Sequence, residues 1–409
     1  MRALVYRKSV PLYLLNRCIS FLRPRNFYPG LSPLRLREVP FSPRKGWVVL
    51  RNRLCGICGS DLGLLRGTES VLLEPYASFP AIIGHELVSE VIEAPRDSGF
   101  QPGERVVVEP LLPCRARGLP PCRFCAEGRH NICENTTRGE LPPGQMGFNR
   151  GCGGGMAEFT AAPPENLFRI PEGVSDERAV LADSVASALQ PVLDRFPEDG
   201  HSVVVYGAGS VGQHILRCLR VLGSRARLLA VVRHAFQGDL AAAGGADVVL
   251  LNPGRSELGG HAGASLLPTT LGGGNLEGGA DFFFDCVGNS HSFQEGLIAL
   301  RGRGTYVMVA TAATLRSPDV SSLWLRELTV TGSMAYGYGM HRGKRVRTYE
   351  LALHLLCRDD YPVQGLLTHV FPMVEYGRAF KAAMDKKRSR SVKVALDVRE
   401  SPAQREPST

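Results

Sequence analysis

The chain has 409 residues, more than a single hydrophobic core usually supports, so two domains are expected. With 44% apolar and 21% charged residues it has the composition of a globular protein, which excludes large-scale disorder, and no apolar run is long enough for a membrane span. Lys and Arg number 48 against 39 Asp and Glu, a net charge of +9, but the basic clusters at 342–347 and 386–390 carry no interleaved aromatics and no nucleic-acid motif, so nucleic acid is not an expected partner.

Ala3-Leu4-Val5-Tyr6 reads as a first strand rather than part of a signal peptide, because Arg17 cuts the apolar run that follows and no small-residue cleavage site comes after it. Residues 7–30 then form an excursion in which Leu12, Leu15, Ile19 and Leu22 fit one face of a helix; a lid or dimer contact is the expected role, ahead of membrane adhesion. The odd number of cysteines, eleven, with several at metal spacing, fits a reducing cytoplasm better than a disulfide framework. Trp47-Val48-Val49-Leu50 is strand-like and leads into Cys55-Gly56-Ile57-Cys58-Gly59-Ser60-Asp61. A Cys-x-x-Cys pair can be a redox couple, half of a structural zinc site, or a loop that gives one thiolate to an open catalytic metal. Gly84-His85-Glu86 follows, and a thiolate with an imidazole selects the metal.

Cys58-Gly59-Ser60-Asp61 with Gly84-His85-Glu86 resembles the zinc-containing medium-chain dehydrogenase/reductase family, the alcohol, polyol and threonine dehydrogenases, with similarity running from about Leu34 to Val398. The resemblance implies an α/β fold in which a GroES-like β-rich catalytic domain, residues 1–189 completed by 336–398, accompanies a Rossmann doubly wound parallel-sheet nucleotide domain at 190–335; residues 399–409 remain as a polar tail. It also implies that Cys58 rather than Cys55 binds the catalytic zinc with His85, that Asp61 and Glu86 lie in the metal's near shell, and that Ser60 relays the substrate proton. Where many relatives have a histidine five residues past the ligand cysteine, this chain has Gly63, so any onward proton path uses other groups.

Farther along, Val106-Val107-Val108 is a short strand, and then Cys114, Cys122, Cys125 and Cys133, spaced x7, x2 and x7, match a closed all-cysteine zinc site in a lobe at about 109–135. The family's usual first interval is x2, so the extra residues within 115–121 make Cys114 the ligand that needs checking. Cys152 sits in a glycine-rich stretch with no spacing that supports ligation. At Leu181-Ala182-Asp183-Ser184, where polyol-type relatives place a Glu-Pro-Leu, the resemblance makes Asp183 the third catalytic ligand, one methylene shorter; the alternative is a helix N-terminal cap.

Ser202-Val203-Val204-Val205-Tyr206 is a buried-strand run, and Gly207-Ala208-Gly209-Ser210-Val211-Gly212 turns from it into a helix, the context that makes G-x-G-x-x-G a dinucleotide site. After the next strand, 228–232, Arg233-His234 stands where an acidic residue would hold a ribose 2′-hydroxyl, which favours NADP over NAD. Residues 252–279 read as a flexible insertion. The strand at 281–285 ends in Cys286-Val287-Gly288, and in relatives this Val-Gly borders the nicotinamide. The expected activity is hydride transfer between a secondary alcohol or polyol, or the matching carbonyl, and a nicotinamide cofactor, with two zinc ions per chain, a cytoplasmic location and a homodimer or homotetramer. A zinc-independent quinone or enone reductase of the same fold, or a dinucleotide-binding protein that has lost its chemistry, is the alternative.

Overall fold

In a computed structural model of the chain, the described residues are 1–399 apart from 24 and 312. They divide into two compact units, residues 1–183 with 367 onward, and residues 184–366. No helix among them is long and apolar enough to cross a membrane.

The first unit is built on a sheet whose strands run in the order Leu367–Pro372, Lys393–Asp397, Val48–Gly56, Glu86–Glu93, Arg105–Val108, Leu167–Arg169, with Phe159–Ala162 also pairing Val48–Gly56. Val48, Leu50, Leu87, Val91 and Val106 pack in one core cluster; the start of Val48–Gly56 alternates buried with more exposed positions, whereas Glu86–Glu93 and Arg105–Val108 are mostly buried on both faces. Register decides what meets at the functional end. Gly56 pairs with Glu86 on one side and Ala395 on the other, and the Ile57 N–H donates to the Val394 carbonyl at 2.8 Å, so the Cys58 loop, Glu86 and Lys393 arrive together.

A small sheet of Leu34–Glu38, Arg2–Tyr6 and Ala81–Ile82 closes one side, and the excursion after the first strand is a helix, Val10–Leu22. Its inward face differs from the one expected: Leu12, Tyr13, Asn16, Ile19 and Ser20 face the protein, while Leu15 and Leu22 are exposed. Polar anchors make the difference. Asn16 donates to the carbonyls of Leu12 at 2.7 Å and Leu31 at 2.9 Å, and Ser20 donates to the Arg66 carbonyl at 3.1 Å. At the other end of the unit, Arg399, assigned to the polar tail, bonds Asp397 and buried Asp176, which also takes Arg53 at 2.6 Å and Arg105 at 2.9 Å. The rest of that tail, 400–409, lies outside the described residues.

The second unit holds a parallel sheet in the order Val248–Leu251, Arg227–Val232, Ser202–Tyr206, Ala280–Asp285, Leu300–Met308, Thr329–Gly332. Numbering only the strands of this sheet in chain order, this is the 3-2-1-4-5-6 order of a dinucleotide-binding sheet, with the reversal beside Ser202–Tyr206. The sequence places this domain at 190–335, and the compact unit runs from 184 to 366. The reason is polar anchoring: the Gln190 carboxamide accepts from Gly337 N at 2.9 Å and from Thr348 Oγ1 at 2.7 Å, Arg217 donates to the Pro362 carbonyl at 2.5 Å, and Tyr361 hydroxyl pairs with His214 Nδ1 at 3.0 Å. The stretch 252–279, read as flexible, is a helix, Arg255–His261, and a hairpin of Ala264–Leu267 with Asn275–Gly278. Leu258 and Leu276 join the unit's core, and Arg255 grips Glu295 at 2.6 and 3.2 Å, which the Gly-rich composition hid.

Candidate active site

Cys58 is the N-cap of the helix Gly59–Arg66, and its backbone N–H donates to Asp61 Oδ2 at 2.9 Å. The thiol thereby stands at the positive end of the helix dipole. Gly84 has φ +91°, and a Cβ there would meet Cys55 Sγ at 2.6 Å and Met156 Cγ at 2.7 Å. Only a glycine lets the chain bend His85 toward Cys58 at this point. Cys55 is thus a buried wall of the site, its thiol pushed well up by burial and then by Asp61 and Glu86.

The structure brings Cys58, His85 and Glu86 together with one potential ligand atom from each inside 4.8 Å. Burial opposes a charge on His85, but Cys58 and Asp61 outweigh it and hold the imidazole's proton affinity well above its usual range. Asp61 Oδ1 lies 3.8 Å from His85 Nδ1, beyond hydrogen-bond reach, and both atoms are buried without a hydrogen-bond partner among the described residues. Unpaired buried polar atoms of this kind are costly, and a cation beside a thiolate and an imidazole would relieve that cost, so the donor set fits zinc.

Glu86 is engaged by a residue the sequence did not bring forward. Lys393 Nζ donates to Oε1 at 2.6 Å and to Oε2 at 2.7 Å, both side chains being buried. Burial pulls the Lys393 amine down, yet Glu86 and then Cys58 raise it overall. Asp183 lies in the first turn of the helix Ala182–Asp194, buried, and its charge acts on both His85 and Lys393, but it does not belong to the 4.8 Å group. The hydroxyl of Ser60, half-buried on the first turn after Cys58, makes no hydrogen bond among the described residues, so it is not spent on the backbone. Beside Gly63, a Cβ would find Glu69 Cγ at 3.2 Å and Oε1 at 3.5 Å, so Glu69 takes the room of a longer side chain at that position. Burial first and Asp61 second push Glu69 up to about 7, with His85 opposing. Nothing in the sequence around Glu69 signals this; only the fold places it.

Cys114, Cys122, Cys125 and Cys133 also meet within 4.8 Å, Cys114 Sγ and Cys133 Sγ being 3.5 Å apart. Backbone N–H groups of Cys122, Cys125 and Asn135 donate to these sulfurs at 3.3–3.5 Å, the environment of closed thiolate sites. Burial opposes it, but N–H donation from Cys125 and Glu134 brings Cys122 down to about 7. The long first interval does not remove Cys114. It turns through Arg115–Arg117, and the fully buried Arg117 donates from Nε to the Leu112 carbonyl at 2.8 Å and from its two terminal nitrogens to Leu141 and Gly144 at 2.9 and 2.8 Å. Cys152 stays apart from the group, its thiol pushed up to about 12 by burial.

In the second unit the helix Ser210–Val221 starts at Gly209 directly after the strand Ser202–Tyr206 and the Gly207-Ala208 turn. A Cβ on Gly212 would lie 2.1 Å from the Gly207 carbonyl oxygen, so this glycine lets helix and turn pack at contact. Ser210 Oγ is buried without a hydrogen-bond partner among the described residues at the helix N-terminus, a donor suited to a phosphate. Val211 occupies the same first turn. Arg233 is exposed after the strand Arg227–Val232, and His234 caps the next helix with its ring stacked on Phe236 at 5.7 Å. Buried Asp285 accepts from the Val287 and Gly288 N–H groups at 2.8 and 3.0 Å, and from Ser292 Oγ and Tyr306 OH at 2.7 and 2.5 Å. That network holds the Val287-Gly288 turn in place.

Two family models match: the alcohol dehydrogenase GroES-like domain over residues 44–172, and the zinc-binding dehydrogenase over residues 210–355. D-xylulose reductase A of Aspergillus oryzae is 27% identical over 354 residues, covering 86% of this chain and 90% of that enzyme. Among solved structures, 2R,3R-butanediol dehydrogenase from Bacillus subtilis superposes with a TM-score of 0.71 at 20% identity, covering 97% of this chain and 99% of that one. Acetophenone reductase from Geotrichum candidum, solved in complex with NAD, gives 0.69 at 21% identity over 89% and 93%.

Proposed function

Because this chain belongs to the zinc-containing medium-chain dehydrogenase/reductase family, we propose that it transfers a hydride between a secondary alcohol or polyol, or the matching carbonyl, and NADP in preference to NAD. The observation that carries this reading is the group of Cys58, His85 and Glu86, backed by Lys393 and separate from the four-thiolate lobe. Zinc bound at such an open site supplies Lewis acidity that acidifies a hydroxyl or polarises a carbonyl. Cys58 and His85 would hold it, with Asp183 completing the set from its helix's first turn, while a second zinc would sit among Cys114, Cys122, Cys125 and Cys133. Glu86 stays paired with Lys393 and sets the charge behind the ligands. Ser60 would relay the substrate's proton, its hydroxyl accepting it while giving its own to solvent water; that hydroxyl has no competing hydrogen bond among the described residues.

The D-xylulose and 2R,3R-butanediol specificities in the relatives' names support a substrate whose reacting carbon has a hydroxylated neighbour. The glycine turn, Ser210 and the helix N-terminus would receive the pyrophosphate, and exposed Arg233 a 2′-phosphate. Arg233→Asp is expected to raise KM for NADP about tenfold or more while leaving KM for NAD nearly unchanged; equal effects on both would remove the assignment. A homodimer or homotetramer is part of the same reading, supported by the edge strand Thr329–Gly332 with Val330 and nearby Trp324 exposed. So is a cytoplasmic location, supported by cysteines that are all free.

The deciding experiment joins elemental analysis to turnover assays with NADP and NAD over secondary alcohols and polyols. Two zinc equivalents, of which Cys58→Ala loses one together with turnover, are expected. A single equivalent that survives Cys58→Ala, with enone or quinone reduction intact, would replace this reading by the zinc-independent one.

A further inference from the structure

The N-terminal helix buries its more polar face and exposes its more apolar one. Asn16 and Ser20 anchor it inward, while Val10, Leu14, Phe21 and Leu22 face solvent, Phe21 at 82% and Leu22 at 75% exposure. Beside its start lies the turn Val71–Tyr76, tied to it by the ion pair of Lys8 with Glu74, and Val71, Leu72 and Tyr76 there are exposed as well, Leu72 at 79%. Two neighbouring elements that both present large apolar side chains exceed the scattered exposure of an ordinary surface. Charge says what covers them. Arg7, Lys8, Arg17, Arg23 and Arg25 are exposed around the apolar stripe, residues 7–31 contain no Asp or Glu, and the single carboxylate of 71–76, Glu74, is taken by Lys8.

We propose that this face is a docking surface for an anionic lipid bilayer, on which the helix lies in the plane of the headgroups. Apolar side chains enter the acyl boundary and the flanking cations meet lipid phosphates, the arrangement of interfacial amphipathic helices. A second copy of the chain fits the same face poorly, because a symmetric contact would set its cations against their own equivalents. The inference stands apart from the dehydrogenase reading, since the helix carries none of the residues assigned to metal or cofactor.

Co-sedimentation of the full-length protein with vesicles tests it. Wild type should bind vesicles of phosphatidylcholine with phosphatidylglycerol, bind pure phosphatidylcholine at least about tenfold less, and release as salt is raised. Phe21→Asp with Leu72→Asp should cut binding to anionic vesicles about tenfold or more, with turnover of a secondary alcohol unchanged. Arg17→Glu with Arg23→Glu should do the same through charge, and decides the matter should the first variant misfold. Absence of wild-type binding, equal binding to both vesicle types, or full binding by the charge-reversed variant would overturn the proposal. So would a dimer in solution that Phe21→Asp dissociates and vesicles do not displace.

Discussion

At the scale of single residues, the most consequential contact is Lys393 with Glu86, because it closes a buried carboxylate that would otherwise stand unpaired beside Cys58 and His85. Removing one partner of such a pair costs about 3–5 kcal/mol, whereas removing both is far cheaper. Lys393→Met is therefore expected to lose stability in that range by denaturant unfolding, and Glu86→Gln combined with Lys393→Met to recover most of it; independent, additive losses would show that the pair is not coupled. Glu69 gives a pH signature. Its folded-state carboxyl is raised from 4.5 to about 7, so it binds its proton more tightly folded than unfolded. The stability this contributes is present below about pH 4.5 and is lost as pH rises through about 7. With chelator present, so that no metal charge enters the balance, wild type should lose a few degrees of Tm relative to Glu69→Gln between pH 5 and pH 8. A constant difference across that window would show that Glu69 titrates normally.

At the scale of elements, the four-cysteine lobe turns on an arginine. Residues 115–121 lengthen the first cysteine interval, and Arg117 repays that length by binding carbonyls from Leu112 to Gly144, which holds the loop so that Cys114 faces its three partners. Arg117→Met keeps the volume and leaves several buried carbonyls unpaired, a loss of about 1–3 kcal/mol for each group that water cannot reach. Zinc in the lobe should drop well below one equivalent in this variant while the site at Cys58 keeps its own; retention of full occupancy would show that the sulfurs alone order the lobe. The Gly-rich segment 252–279 teaches a related lesson. Composition pointed to a flexible loop, but Leu258 and Leu276 each found a place in the core, and two well-placed apolar side chains outweighed the glycines around them.

At the scale of the whole molecule, the units carry separate sources of stability, a four-cysteine cluster and antiparallel strand pairing in one and a parallel sheet with a glycine turn in the other. Chelation should therefore raise amide exchange across residues 110–145 and around Cys58 while leaving the strands 202–206 and 280–285 protected, and added NADPH should protect the second set alone. Uniform loss of protection on chelation would mean that the units unfold as one. The motifs were legible in the sequence because their spacing is local: the Cys58 loop, the four-cysteine spacing and the glycine turn each occupy a few neighbouring residues. The fold class followed from the family resemblance that those motifs carry. Other features depended on tertiary structure. Lys393 meets Glu86 across 307 positions because strand register brings Gly56 between Glu86 and Ala395. Likewise, Glu69 fills the room beside Gly63, and Asn16, not Leu15, turns inward on the first helix. Each of these depends on burial and register between distant segments, and a sequence read along its own length carries neither.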